Sequence, residues 1–284
     1  MERRVTQNIY RTANDEWLDG SIFYEHKSNS RRRAAKFQPT SEAQERLNRD
    51  NARRMATRLL QDNFAAGVDF FVHPTYDETN VPYENSRARK DMRNFLLRVK
   101  RLYARLGIHA EFKYLGTAVG ASKVRRHLHI VFTGSLYPNL ADEIRKLWPY
   151  GTCNVDRLEY HETDGFSRTA AYICNNHFDA KDIGENAFAK SFCCSRNLSR
   201  PEPQCRRGVI PVSLLPKLAN ASECERVAIV ENLFSGYSAV EIDVSELEKA
   251  PEESKHKIYG NYYIFLRMRR KSQTTPRRDG KRRL

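Results

Sequence analysis

The stretch His127-Leu128-His129-Ile130-Val131-Phe132 constrains the fold more than any other part of the chain. Its apolar run is short and rich in branched and aromatic residues, which predicts a β-strand. Successive strand side chains point to opposite faces of a sheet, so His127 and His129 should share one face. Two imidazoles on one face can bind a metal ion, although two histidines can also alternate by chance on a half-exposed strand.

The flanking segments predict an order of β-α-β-β-α-β followed by one more helix. The apolar spacing of the first helix is the clearest in the chain, and Gly107 marks its end. This order is that of an α+β, ferredoxin-like antiparallel sheet with both helices on one face and an open, DNA-binding face on the other. The predicted elements are a strand Phe70–His73 stopped by Pro74, a helix to Leu106, a hairpin of residues 111–119 with the histidine strand, a short helix to Trp148, a strand at 152–158 and a helix from Ser167 to about Phe178.

Charge and composition predict the partner and the division of the chain. The net charge is +14 and the pI is about 9.6, which favours a polyanionic partner. We predict a basic amino-terminal arm and helix (1–66), with the arm irregular to about Gln38, a catalytic domain (67–207) and a small β-rich accessory region with a basic tail (208–284).

The cysteines and the lack of long apolar runs exclude other classes of protein. The six cysteines form no CxxC pair, and Cys193 and Cys194 are adjacent, so a disulfide framework is not predicted. A structural zinc site of Cys193, Cys194, Cys205 and a histidine is an alternative that this spacing disfavours. No apolar run approaches membrane-spanning length, and free thiols indicate the cytoplasm.

Several motifs together resemble those of the HUH endonucleases, in which U is a bulky apolar residue, here Leu128. The closest resemblance is to the rolling-circle replication-associated proteins, the replication initiators of bacterial mobile elements and phages. The motifs span residues 40–201 in the family's order. They are Phe71–Tyr76, His127-Leu128-His129, Trp148-x-x-Gly151-x-x-Asn154-x-Asp156-Arg157-Leu158, Ala170-Ala171-Tyr172-Ile173 and Ser195-Arg196-Asn197-Leu198 with Pro201.

This resemblance implies an enzyme that nicks and rejoins single-stranded DNA at an origin. Tyr172 would attack the phosphorus, giving a 5′-phosphotyrosine and a free 3′-OH that primes rolling-circle synthesis. His127 and His129 would bind a divalent metal, Mg²⁺ or Mn²⁺. It also implies a bacterial host cytoplasm and allows a host replication helicase or polymerase as a further partner. Residues expected to contact DNA are Arg125, Arg126, Arg196 and Asn197, although Arg196 and Asn197 could equally fix their own loop.

Two positions depart from the pattern that this family shows. A glutamate usually precedes the first histidine on the hairpin, but the neighbourhood here is 118–120, with no carboxylate. Glu111 and His73 are alternative third ligands. A lysine usually follows the tyrosine by one helical turn, where this chain has Asn175, so Lys181 or Lys190 would have to replace it. The competing interpretation is a weakened or non-catalytic ferredoxin-like protein that binds single-stranded nucleic acid.

Overall fold

The structure, a computed structural model, describes residues 4–24, 42–82, 85–119, 126–175, 192–246 and 262–271. Within these residues the chain forms ten strands and six helices. In chain order they are β1 (Val5–Arg11), β2 (Trp17–Tyr24), α1 (Glu42–Asn63), β3 (Phe70–Tyr76), α2 (Asn85–Arg105), β4 (Tyr114–Val119), β5 (His127–Phe132), α3 (Leu140–Arg145), β6 (Gly151–Arg157), α4 (Ser167–Asn175), β7 (Cys193–Cys194), β8 (Gln204–Arg207), α5 (Leu214–Asn220), α6 (Glu223–Leu233), β9 (Tyr237–Glu246) and β10 (Tyr262–Arg270).

The chain divides into two compact units, each with its own five-stranded antiparallel sheet. The central unit contains residues 31–201, and the terminal unit combines residues 1–30 with residues 202–284. The fold is therefore a mixture of α and β structure, as the α+β prediction expected. Both the predicted arm and the predicted accessory region contribute strands to the sheet of the terminal unit.

The sheet of the central unit has the strand order β6-β3-β5-β4-β7. The predicted hairpin of β4 and β5 is present, and β5 lies beside β3 at the centre of the sheet. One face is covered by α2 and α3, whose apolar side chains pack against Phe70, Val72, Leu128 and Ile130. Because strand side chains alternate, this packing leaves the odd-numbered residues of β3 and β5 on the other face.

That other face is not open, contrary to the sequence prediction. Helices α1 and α4 pack over one part of it, and Leu115 and Val131 are buried there among apolar residues of both helices. The apolar stripe of α1 needs a surface to cover, and the sheet face supplies one. Helix α1 thus belongs with the sheet, and only the part of the face beyond α4 remains for a site.

Strand β3 does not end at Pro74, as the sequence predicted. It continues to Tyr76 with β6 as its partner throughout. Proline lacks an amide hydrogen, and its effect is confined to the β5 side, where the pairing skips His73 and Pro74 and resumes at Thr75. The strand therefore carries His73 fully within the sheet.

The predicted end of α2 at Gly107 is confirmed. Gly107 has a φ of 69°, and its amide donates to the Ala104 carbonyl while the Ile108 amide donates to the Tyr103 carbonyl. This pattern closes a helix through a left-handed residue, which glycine adopts without strain.

The sheet of the terminal unit has the order β8-β1-β2-β10-β9, so the predicted irregular arm is wrong for residues 5–24. These strands mix polar and apolar residues, and β2 pairs with β10, a partner from the opposite end of the chain. Helices α5 and α6, which the sequence analysis did not identify, cover one face of the sheet through Leu215, Leu218 and Val230. On the other face Arg267 pairs with Asp19, both buried, and its guanidinium lies 4.5 Å from the ring centre of Trp17.

Among the described residues, no helix combines the length and the apolar character needed to cross a membrane.

Candidate functional site

Strands β3 and β5 gather three imidazoles on the second face of the central sheet. The ring centres of His127 and His129 are 4.7 Å apart, so the prediction that they share a face is confirmed. His73, on the neighbouring strand, lies 5.1 Å from His129 by the same measure. Phe71 packs edge-on against His73 at 4.2 Å. We call these four side chains, together with Tyr172, the histidine cluster.

His129 is the buried centre of this cluster. Its side chain has no exposed surface, and its Nδ1 lies 3.2 Å from the main-chain oxygen of Tyr172. A carbonyl oxygen can only accept, so Nδ1 carries the hydrogen and donates it. The neutral ring then has its lone pair on Nε2, which is buried and has no hydrogen-bond partner within the described residues.

The charge state of the cluster follows from its burial. Burial lowers the pKa of His129 to about 3, and the neighbouring His127 and His73 lower it further against the hydrogen bond to Tyr172. Burial also lowers the pKa of His73, while Asp156 opposes that shift. His73 and His129 are therefore neutral near pH 7, and neutral imidazole is the form that binds metal ions.

Helix α4 holds Tyr172 over His129. The two rings are nearly parallel, with an angle of 18° and ring centres 4.5 Å apart. The other side of α4, with Ala170, Ile173 and Cys174, is buried against α1. This packing fixes the helix while half of the tyrosine surface, 51 %, stays exposed. The aromatic ring is thus anchored at its face and accessible from solvent.

Strand β6 lines the side of the histidine cluster next to β3. Asn154 pairs with His73 and Asp156 with Phe71, and both β6 side chains are exposed. At the end of this strand Gly151 adopts a φ of 146°, and an added Cβ would lie 2.3 Å from the Thr75 oxygen. Gly151 therefore allows β6 to approach the end of β3 closely.

Trp148 explains the other half of this motif. Its indole nitrogen donates to the Thr75 oxygen at 3.1 Å, and its ring packs edge-on against the buried ring of Tyr76. Tyr76 donates to Asp91, and burial raises its pKa, with Asp91 adding to the shift. Tyr76 is consequently a core residue that does not face the histidine cluster.

The remaining residues predicted to contact DNA are dispersed. Arg125 lies outside the described residues, and Arg126 is half-buried, with its main-chain oxygen accepting from the Tyr76 amide. Arg196 is exposed at the turn after β7. Asn197 donates from Nδ2 to the Glu111 carboxylate at 2.9 Å and to the Phe112 oxygen at 3.3 Å, which fixes its own loop.

The structure places the two alternative third ligands differently. His73 belongs to the histidine cluster, whereas Glu111 is bound to Asn197 and also pairs with Lys113. The replacements considered for the usual lysine, Lys181 and Lys190, lie outside the described residues, as does the side chain of Asn175. Sequence reasoning considered Asp156 only as a shaping residue of β6. Its alternation with Asn154 was the available signal that both face one way.

A divalent metal fits the cluster in one respect. In the part of the chain that the structure describes, no set of three or more His, Cys, Asp or Glu side chains is arranged to hold an ion. The buried Nε2 of His129, however, lacks a partner, and its Nδ1 donates to a carbonyl. Metal-binding histidines usually have their second nitrogen oriented in this way. The alternative cysteine site is not formed, because Cys193 and Cys194 lie on β7 of the central unit and Cys205 on β8 of the terminal unit.

Comparison with known proteins identifies one family. Residues 69–177 match the model of a family described as replication-associated protein ORF2. The match runs from the start of β3 to the end of α4 and so includes the whole histidine cluster. Neither the curated proteins nor the solved structures contain a match to this chain. The family match supports a role in the initiation of DNA replication and, with it, binding of DNA at an origin.

Proposed function

We propose that this chain is an HUH-type replication initiator that nicks one DNA strand at an origin and later rejoins it. The observation that carries the proposal is the stacking of the half-exposed Tyr172 on the buried His129, whose Nε2 lacks a partner. The order β6-β3-β5-β4, with helices after β3 and β5, is consistent with a ferredoxin-like sheet. The family match over the same residues is in keeping with this role.

The proposed reaction is a transfer of the phosphoryl group to Tyr172. The phenol oxygen attacks the phosphorus of the scissile bond, forming a phosphotyrosine on the 5′ side. The bond from phosphorus to the 3′ oxygen breaks, and this oxygen takes up a proton to give the 3′-OH. The phenol proton passes to water, which reaches the half-exposed ring. Because the covalent link retains the energy of the phosphodiester, the 3′-OH can later attack it and restore the strand.

Each residue of the cluster has a defined part in this scheme. His127 and His129 would hold a divalent ion, Mg²⁺ or Mn²⁺, with His73 as the adjacent third nitrogen; such an ion would offset the phosphate charge. The helix carrying Tyr172 is anchored on its apolar side, so the ring is held ready for attack. Phe71 offers an aromatic surface beside the tyrosine, at 6.1 Å between ring centres, against which a base of a single strand can stack.

Covalent capture of DNA tests the proposal. We expect the full chain, incubated with Mn²⁺ and a random-sequence single-stranded library, to form an adduct that survives a denaturing gel. Sequencing of the captured strands would also reveal the origin. The adduct should be lost in Tyr172→Phe and in His129→Ala. The matched control is Tyr137→Phe, which removes the hydroxyl of another exposed tyrosine and should leave the adduct intact.

The main alternative is a protein that binds single-stranded DNA without cleaving it. It is favoured by the absence of a three-ligand metal set among the described residues. Binding of the library with unchanged affinity, but with no adduct in Mn²⁺, Mg²⁺ or Zn²⁺, would establish this alternative and refute the nicking mechanism. An adduct that persists in Tyr172→Phe would instead place the nucleophile elsewhere.

A further inference from the structure

The outward face of α2 carries an uninterrupted basic surface that the proposed nicking reaction does not use. Its exposed cations, which we call the α2 basic face, are Arg89, Lys90, Arg93, Lys100, Arg101 and Arg105. They recur at intervals of three and four residues, which places them along one side of the helix. With a rise of 1.5 Å per residue, the row from Arg89 to Arg105 is roughly 24 Å long.

No acidic side chain compensates this row on the helix itself. The single carboxylate of α2, Asp91, is buried and accepts from Arg87 and Tyr76 on the inner side. The exposed surface of α2 otherwise contains only Ser86, Leu97 and Ala104 in the range that the structure describes. A solvated basic helix usually alternates with acidic partners at the next turn, and this one does not.

The α2 basic face lies on the side of the sheet opposite to the histidine cluster. The inner side of α2 packs, through Phe95 and Val99, on the face that presents Phe70, Leu128 and Ile130. His129 and Tyr172 occupy the other face. A nucleic acid bound along α2 is therefore not the strand held at the cluster. It is a second contact, separated from the first by the thickness of the sheet.

We propose that the α2 basic face binds the phosphate backbone of double-stranded DNA while the histidine cluster receives a single strand. Among the described residues, the exposed surface of α2 has no aromatic side chain, and single strands are held by stacking of bases on aromatic rings. A duplex instead presents paired bases and about one negative charge per 1.7 Å of its axis. A straight cationic row about 24 Å long matches such a rod over most of one helical turn.

The electrostatic surroundings extend this surface toward the edge of the sheet. Burial raises the pKa of the Cys193 thiol on β7 to about 11, and Arg89 and Arg93 oppose the shift, so both guanidinium groups lie near that edge strand. The turn after β7 adds the exposed Arg196 and Arg200. Positive charge thus continues from α2 to the β7 edge, from which a strand separated from the duplex could pass to the other face.

A neutralising triple variant, Lys90→Gln with Arg93→Gln and Arg101→Gln, tests the proposal. Fluorescence anisotropy should be measured with a labelled random-sequence duplex and with its top strand alone, over a series of salt concentrations. Three lost phosphate contacts should make the slope of log affinity against log salt shallower by about 2.7 for the duplex. Duplex affinity in 0.1 M salt should fall at least tenfold, and affinity for the short single strand should change by less than about twofold.

The matched control neutralises three exposed cations that lie beside carboxylates, Lys146→Gln, Arg168→Gln and Lys217→Gln. It changes the net charge equally and should leave the salt slope for the duplex unchanged. An equal loss in both triple variants would show a general effect of net charge and refute the proposal. Equal losses of duplex and polyglutamate binding in the α2 variant would refute it too, by indicating an acidic protein partner.

This inference does not depend on the nicking reaction. The α2 variant should still form the covalent adduct with short single strands, whereas Tyr172→Phe should lose the adduct and keep its affinity for the duplex. An unchanged duplex salt slope in the α2 variant, with the adduct formed normally, would refute the duplex surface alone. Absence of any adduct with the duplex slope altered as expected would refute the nicking mechanism alone.

Discussion

Burial of His129 should make the stability of the central unit fall as the pH is lowered. The pKa of this imidazole is about 3 in the folded chain and 6.5 in the unfolded one. A lowered folded pKa means that the unfolded state binds the proton first. The stabilisation is complete above pH 6.5 and is lost as the pH falls toward 3. Between pH 7 and pH 5 the loss is about 2 kcal/mol, at 1.36 kcal/mol per pH unit below 6.5.

Hydrogen exchange of the β5 amides measures this loss in the central unit itself. In metal-free buffer with a chelator, the protection factors of the slowest β5 amides should fall roughly thirtyfold from pH 7 to pH 5, which corresponds to about 2 kcal/mol. His129→Gln should remove most of this decrease. It should leave the part due to His73, whose pKa burial also lowers. The control, His109→Gln, replaces an exposed imidazole and should behave like the wild type.

Two results would refute this reasoning. An identical decrease in the wild type and in His129→Gln would mean that the ring is not held neutral by burial. An increase of protection on acidification would mean that the folded state gains the proton, and therefore that a carboxylate pairs with the ring. Added Mn²⁺ at pH 7 should raise protection in the wild type but not in His129→Gln, since an ion that binds only the folded state stabilises it.

Two further predictions concern stability. Asp69→Ala should destabilise the central unit by about 2 to 4 kcal/mol, because the buried carboxylate accepts from the amides of Ala65 and Gly134, each at 2.7 Å, and both would lose their partner. Arg267→Met should destabilise the terminal unit by about 3 to 5 kcal/mol, since it leaves the buried Asp19 carboxylate without its cation. Urea denaturation followed by hydrogen exchange in each sheet measures both.

Conservative and exposed substitutions serve as controls for these two predictions. Asp69→Asn keeps one acceptor oxygen and should recover part of the loss, whereas Asp142→Ala removes an exposed carboxylate on α3 and should change stability by less than about 0.5 kcal/mol. Arg269→Met removes a partly exposed cation of the same strand, β10, and should change stability much less than Arg267→Met. Equal effects of Arg267→Met and Arg269→Met would contradict the importance of burial.

Local pattern alone determined several parts of this structure. The spacing of apolar residues with a terminal Gly107 predicted α2, and the alternation of the histidine strand placed His127 and His129 on one face. Both properties depend on residues a few positions apart, and helix and strand periods act at that range. The motif match likewise lay within consecutive elements, and the matched family covers the same segment, residues 69–177.

The terminal strands could not be predicted in this way. β1 and β2 alternate weakly, with Thr6, Gln7 and Asn8 in the middle of β1, and the sequence near them offers no sign of a core. Their sheet is completed by β8, β9 and β10 from the other end of the chain. Buried polar residues in these strands depend on partners that only the folded sheet supplies, as Asp19 does on Arg267.

The histidine pair itself was readable from the sequence, because alternation along one strand needs no other part of the chain. The site around it was decided by tertiary structure. Pairing of β3 with β5 brought His73 beside His129 despite Pro74, and packing of α4 on α1 laid Tyr172 over the same ring. These contacts join segments tens of residues apart, and burial, which turns His129 into a neutral base with one unpartnered nitrogen, exists only once they form.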